Sequence, residues 1–332
     1  MTTSDHTVRP VFVLGMARSG TTLVGTIVGA HPGITIAPET HFLDKCADPF
    51  LDLDMALRAN FDKAWGAYSA SGRFSALGLD ADALAARITA SDAIDFKTMY
   101  GHVLRAYAER FGTPRWGDKS HVDHRYIDWL LEWYPACRII CVVRDPRATV
   151  SSLLKTPWSS GYAFYYAQQW RETADILARF KGCDRVYLVK YESIVQQPER
   201  EARALCAFLG EMYSPLMLER PEDPAPIADR TTWELEGWWR QHKRKALEPV
   251  SMTSLEKWRA NLSPYEVAVV EHIARDGMRE FGYAATTTAL GLGYALRLRF
   301  EILGRFARAA VRPSRLVARL RAQRTIHSPR PW

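Results

Sequence analysis

The chain has 332 residues, 47% of them hydrophobic and 24% charged, a balance that suits a globular protein with a large core and excludes a disordered or collagen-like chain. Its net charge of +7 is unevenly held: from Ala284 to Trp332 there are ten arginines, no lysine and one acid, Glu301, so this segment carries +9 and the remainder −2. A nucleic-acid-binding domain would carry its positive charge on the body, so no nucleic-acid partner is expected.

In chain order, the start MTTSDHTVRP lacks the basic and apolar regions of a signal peptide, and no run long enough for a transmembrane helix follows. Residues 11–15, VFVLG, form a short apolar strand ending in glycine. GMARSGTT comes next, and then Leu23, Ile27 and Val28 at helical spacing up to Pro32. Strand, glycine loop and helix make a phosphate cradle, in which main-chain N–H groups converge at a helix N-terminus. An NTPase loop would read G-x-x-x-x-G-K-[ST]; here Thr21 stands in the lysine position and Arg18 lies inside the loop. A ligand held by arginine, hydroxyls and amides without metal is therefore expected, although a plain strand–helix turn explains the glycines alone.

Residues 34–39, ITIAPE, read as a second strand, and residues 44–112 as a helical, aromatic-rich insertion. HRYIDWLLEWYP continues as helix. Residues 138–143, RIICVV, form a continuous apolar strand of the kind buried on both faces of a parallel sheet. DPRATVSSLL begins a helix with Asp145 as cap and Pro146 in its first turn. Residues 168–180 are helical, RVYLVKYE is a strand, and PEREARALCAFLG is a helix closed by glycine. RPEDPAPIADR, residues 220–230, is a loop. The alternation predicts an α/β, P-loop-like three-layer fold, a central parallel sheet flanked by helices, with a basic C-terminal helical tail. One domain over residues 1–283 and a tail over 284–332 are expected. Cys46, Cys137, Cys141, Cys183 and Cys206 form no Cys-x-x-Cys pair, which predicts free thiols and a cytoplasmic protein.

Four motifs in order, RSGTTL…AHP…PET, VVRDPRATVSSLL, LVKYESIVQQPE and SLEKWRANLSP, give the body a resemblance to sulfotransferases that use 3′-phosphoadenosine 5′-phosphosulfate (PAPS), in the branch that contains the tyrosylprotein sulfotransferases and their bacterial relatives. The resemblance spans residues 11–283 and omits the tail. It implies a metal-free transferase that moves the sulfuryl group of PAPS, its co-substrate, to an acceptor hydroxyl by direct displacement. It puts Arg18, Ser19, Gly20, Thr21 and Thr22 at the 5′-phosphosulfate, Arg144 and Ser152 at the 3′-phosphate, and Tyr191 and Lys257 in further cofactor contact. Residues 241–251 would form a lid. Glu39 aligns with the base, and Lys119 with a lysine beside the leaving oxygen, where Arg18 would assist. His41 is the rival base, and His121 an acceptor-side candidate. Where the family often has an arginine four residues after the serine, this chain has Thr156.

Taken without the resemblance, Lys119 reads as a solvated loop lysine and Glu39 as a strand-end cap. Arg305, Arg308, Arg312, Arg315 and Arg319 recur at helical spacing beside Leu303, Phe306 and Leu316, which suits a peripheral attachment to the anionic inner face of a membrane. An oligomer contact or a free basic tail remains as open. The acceptor, whether sugar, lipid or phenol, is not specified. A P-loop kinase-type phosphotransferase and a non-catalytic, membrane-docked nucleotide module are the rival functions.

Overall fold

The computed structural model describes residues 9–219 and 252–310. Residues 220–251, with the proline-rich loop and the expected lid, and Arg312, Arg315 and Arg319 lie outside the described residues. The described residues fall into two compact units, the first within Met1–Arg144 and Ile176–Leu255 and the second within Asp145–Asp175 and Glu256–Trp332.

The first unit is built on five parallel strands, β1 (Val11–Gly15), β2 (Ile34–Pro38), β3 (Arg115–Ser120), β4 (Arg138–Val143) and β5 (Val186–Lys190), in the order β2-β3-β1-β4-β5. Alternation along β1 decides how the sheet is covered. Val11 and Val13 join Ile140, Val142 and Val189 in a core with Val24, Ile27 and Val28 of helix α1 (Thr21–Gly29). The same core takes Ala202, Leu205 and Leu209 from the helix Pro198–Leu209, whose C-terminus is closed by the left-handed Gly210. Phe12, of opposite parity, stacks on Tyr100 of the helix Phe96–Glu109 and lies near Tyr134. The apolar β1 is therefore buried on both faces, which gives the expected three layers.

β3 was not anticipated from the sequence. Arg115–Ser120 reads RWGDKS, with polar residues that predict a loop, yet Trp116 through Ser120 are all buried. The two charged residues among them are compensated. Asp118 and Lys119 find partners described below, and Gly117 lets β1 approach, since a Cβ at that position would stand 1.7 Å from the Val11 carbonyl oxygen. Parallel pairing sets Lys119 beside Val13 on one side and Pro38 on the other, so the lysine sits at the sheet's C-terminal end with the loops that follow β1 and β2.

In the second unit, Asp145 caps the helix Pro146–Leu154 by accepting from the Arg147 amide at 2.8 Å, as the sequence predicts. Arg147 also donates to Asp145 Oδ2 at 2.6 Å and to Glu271 Oε1 at 2.7 Å, and its guanidinium lies over the Trp258 ring. Glu271 is fully buried and accepts further bonds from the amides and hydroxyls of Thr286 and Thr287. Among the described residues, no helix is long and apolar enough to cross a membrane.

Candidate active site

The loop between β1 and α1 has three residues in the left-handed region: Gly15 (φ 154°), Arg18 (φ 70°) and Gly20 (φ 103°). The glycines are required by space as well. A Cβ at Gly15 would stand 2.6 Å from the Val142 carbonyl oxygen, and one at Gly20 would stand 2.3 Å from Cδ2 of Tyr191. Arg18 has no such excuse, and a side chain held there costs about 1–3 kcal/mol, of the kind kept at ligand-binding sites. Helix α1 starts without a side-chain cap, so its first-turn amides point into the loop without intrahelical partners. Ser19 Oγ is buried and has no hydrogen-bond partner. An orphaned buried hydroxyl beside free helix amides fits an oxyanion.

Arg144, at the end of β4, closes over this loop. Its Nη1 donates to the Arg18 carbonyl at 3.1 Å and its Nη2 to the Ser254 carbonyl at 3.1 Å. Its guanidinium lies 4.3 Å from the centre of the Tyr191 ring, and the Tyr191 hydroxyl is 3.1 Å from Ser254 Oγ. Burial, and then the charge of Arg144, lower the Arg18 guanidinium to about 10. Glu39 and Tyr191 offset this only in part. Two guanidinium groups crowded in a partly desolvated site create a positive potential that an anion relieves.

The second half of the site follows β2. Glu39 (φ 44°) and His41 (φ 53°) are both left-handed, and Thr40 between them is anchored to β3. Thr40 Oγ1 donates to Asp118 Oδ2 at 2.5 Å and the Thr40 amide to Asp118 Oδ1 at 3.4 Å. The Tyr100 hydroxyl also donates to Asp118 Oδ2, at 2.8 Å, and the Tyr68 hydroxyl donates to the Thr40 carbonyl. This buried clamp holds the turn that presents Glu39. Lys119 Nζ donates to Glu39 Oε1 at 2.6 Å, His121 Nδ1 stands 3.4 Å from the same oxygen, and Arg73 Nη1 donates to Oε2 at 3.4 Å. Burial works against the charge on Glu39, but Lys119 and then His121 outweigh it and hold the carboxyl well below its usual range. Helix α1 makes room for the lysine at Gly25, where a Cβ would meet the Lys119 chain at 2.9 Å.

His41 is arranged differently. Its Nδ1 is 2.9 Å from Asp44 Oδ1, while its Nε2 is buried with no hydrogen-bond partner. Its ring meets that of His121 edge to face, with centroids 5.5 Å apart. Glu39, His41 and His121 each bring one donor atom to within 4.8 Å of the others, a spacing that a metal ion also needs. The Lys119 ammonium already balances the carboxylate of that set.

The first unit thus gathers Arg18, Ser19, Gly20, Arg144 and Tyr191 into one cluster, and Glu39, Lys119, His121 and His41 into another. Helix α1 links them, beginning at the loop and packing its Gly25 against the Lys119 side chain. Thr21 is buried and Thr22 half-buried at the start of α1. Ser152, half-buried on the helix Pro146–Leu154, and Lys257, exposed, belong to the second unit. Sequence reasoning missed Ser254, three residues before Lys257 in the recognised SLEKW motif, and Asp118, next to the recognised Lys119. It also missed Asp44 and Arg73, which carried no motif signal.

A sequence profile described as the sulfotransferase family matches residues 10–215. The chain belongs to the sulfotransferase family. It is 22% identical over 263 residues to a protein-tyrosine sulfotransferase of Drosophila melanogaster, covering 75% of this chain and 46% of that protein. Protein-tyrosine sulfotransferase 2 of Gallus gallus is 24% identical over 302 residues, covering 86% of this chain and 69% of its own. The chain thus spans about half the length of the first relative and about two thirds of the second. Among solved structures, the sulfotransferase domain of the Synechococcus PCC 7002 olefin synthase superposes with a TM-score of 0.56 at 22% identity, covering 85% of this chain and 98% of that one. Family and fold agree with the resemblance seen in the four motifs.

Proposed function

We propose that the chain transfers the sulfuryl group of PAPS to an acceptor hydroxyl by in-line displacement, with no covalent enzyme intermediate. The observation that carries this reading is the pairing of Arg18 and Arg144 around a loop whose Ser19 hydroxyl is buried without a partner. Such a site favours a ligand with separated anionic groups. Arg18, Ser19, Gly20, Thr21 and Thr22 hold the 5′-phosphosulfate, and Arg144, beside Tyr191, holds the 3′-phosphate.

Lys119 and Arg18 neutralise the charge that gathers on the leaving phosphate as sulfur departs. Glu39 takes the proton of the attacking hydroxyl. While Lys119 is bonded to it at 2.6 Å, Glu39 is a weak base. An arriving phosphosulfate competes for Lys119, and as the lysine turns to it, Glu39 regains basicity where it is needed. A second reading of the base has its own support: His41, oriented by Asp44, keeps a buried, unpartnered Nε2 on a ring that meets His121 edge to face.

The names of the two relatives make a tyrosyl hydroxyl the first acceptor to test, with sugar and lipid alcohols next. Cys46, Cys137, Cys141, Cys183 and Cys206 are all free thiols, which supports a reducing compartment as the place of action. The test is transfer of labelled sulfate from PAPS, without added metal, to tyrosine peptides, glycans and lipid extracts. Labelled product supports the reading. Binding without turnover on any acceptor would favour a non-catalytic nucleotide module, and Mg²⁺-dependent phosphate transfer from ATP would favour the kinase-type alternative.

A further inference from the structure

The helix Leu292–Ala310, in the second unit, has an inner and an outer side of different chemistry. Inward, Leu298 is buried in a cluster with Phe164, Tyr265 and Val269, and Ile302 packs against it. Arg297 lies 3.9 Å from the centre of the Tyr265 ring and pairs with Glu301 at 3.1 Å. Arg305 lies 3.9 Å from the centre of the Tyr165 ring, so it turns toward the body of the unit and away from the outer face.

The outer side is apolar. Leu292, Leu296, Phe300 and Leu303 are 87%, 55%, 71% and 63% exposed. At helical geometry these four fall within an arc of about 80°. Five of the ten exposed large hydrophobic side chains among the described residues sit on this one helix. Scattered exposed leucines are ordinary, whereas a contiguous stripe marks an interaction surface. A groove of about 580 Å³ runs beside it, lined by Tyr162, Leu296, Arg297, Phe300, Glu301 and Gly304. Arg299 is exposed at the edge of the stripe.

We propose that this face docks the chain on an anionic lipid bilayer: the leucines and Phe300 enter the headgroup boundary, and Arg299 meets lipid phosphates. Charge selects this occupant. From Ala284 onward the sequence carries ten arginines and one acid, and that acid, Glu301, is engaged by Arg297. A second copy would set two strongly positive segments against each other, which Coulomb repulsion opposes. A polyanion without an apolar phase would leave the stripe in water. A bilayer with acidic lipids satisfies both features of the helix. The inference is independent of the sulfuryl-transfer reading.

The test is flotation of the full chain with vesicles of phosphatidylcholine containing phosphatidylserine, and with phosphatidylcholine alone. Wild type floats with the acidic vesicles only. Leu296→Ser/Phe300→Ser, which changes exposed positions, keeps its circular dichroism spectrum and lowers partitioning at least about ten-fold. Arg299→Gln lowers it less. Phe300→Trp gives a blue-shifted emission on adding acidic vesicles. Failure of wild type to float, or equal flotation of the double variant, overturns the proposal. So does a lipid-free dimer, seen by sedimentation, that the double variant dissociates, because a second copy would then own the face.

Discussion

Glu39→Gln separates the chemistry of the site from its binding. The substitution keeps the shape of the side chain and removes its charge. In the wild type the carboxylate is 2.6 Å from Lys119 Nζ, a distance at which the raw attraction is about 6 kcal/mol for an effective dielectric constant of about 20. Removing one partner leaves the Lys119 ammonium buried without its counter-charge, which costs about 3–5 kcal/mol of stability. Turnover falls by about a hundred- to ten-thousand-fold if Glu39 is the base. Affinity for adenosine 3′,5′-bisphosphate, by contrast, rises about three- to ten-fold, because a negative charge has left the anion site and Lys119 is released. The pH profile carries a second signature. Glu39 is held well below the usual carboxylate range in the free enzyme, so kcat/KM for the donor persists to acid pH. Once the donor draws Lys119 away, the carboxyl returns toward its ordinary value, and the acid limb of kcat lies at higher pH than that of kcat/KM. The assays are steady-state transfer from labelled PAPS across pH and calorimetry with the bisphosphate. Turnover of Glu39→Gln within ten-fold of wild type refutes the role of base. Affinity weakened rather than strengthened refutes the proposed competition for Lys119.

Three further expectations concern His41 and Asp118 in the first unit and Glu271 in the second. His41→Asn lowers turnover by less than about ten-fold if Glu39 is the base, and by at least about a hundred-fold if the Asp44-oriented imidazole takes the proton; steady-state transfer rates decide between them. Asp118→Asn places an amide donor against the hydroxyls of Thr40 and Tyr100, loosening the left-handed turn at Glu39 and His41, so kcat falls about ten-fold or more while bisphosphate affinity holds; equal loss of both would mean general unfolding. Glu271 is lowered below its usual range: burial opposes the charge, and the Thr287 and Thr286 donors outweigh it. A depressed folded value means that its contribution is complete above the unfolded carboxylate range and is lost as pH falls through the folded value. Thermal melts of wild type should therefore drop across that acid window, and those of Glu271→Gln, about 3 kcal/mol less stable at neutral pH, should drop less; parallel melts would contradict the assignment.

The elements read correctly from sequence are those whose apolar pattern or cap is local. VFVLG and RIICVV are buried on both faces and read as strands without help, and Asp145 with Pro146 marks a helix start that the structure keeps. β3 was illegible for the opposite reason: its Asp118 and Lys119 are tolerated in the core only because Thr40, Tyr100 and Glu39, distant in sequence, satisfy them. The same long-range dependence hid Arg73, which reaches Glu39 from the helical insertion, and Ser254, whose carbonyl oxygen accepts from Arg144. The glycine loop was legible because its spacing encodes its geometry. The strain at Arg18, Glu39 and His41 was not, because nothing in the residue type announces a left-handed backbone.

Calorimetric titration of adenosine 3′,5′-bisphosphate into wild type and Arg144→Ala, with chelator present, reads the shared anion pocket directly. Saturable one-to-one binding to the wild type, weakened about ten-fold or more by the arginine deletion, is the result the account predicts. No heat from the wild type, or an undiminished affinity in Arg144→Ala, would contradict it.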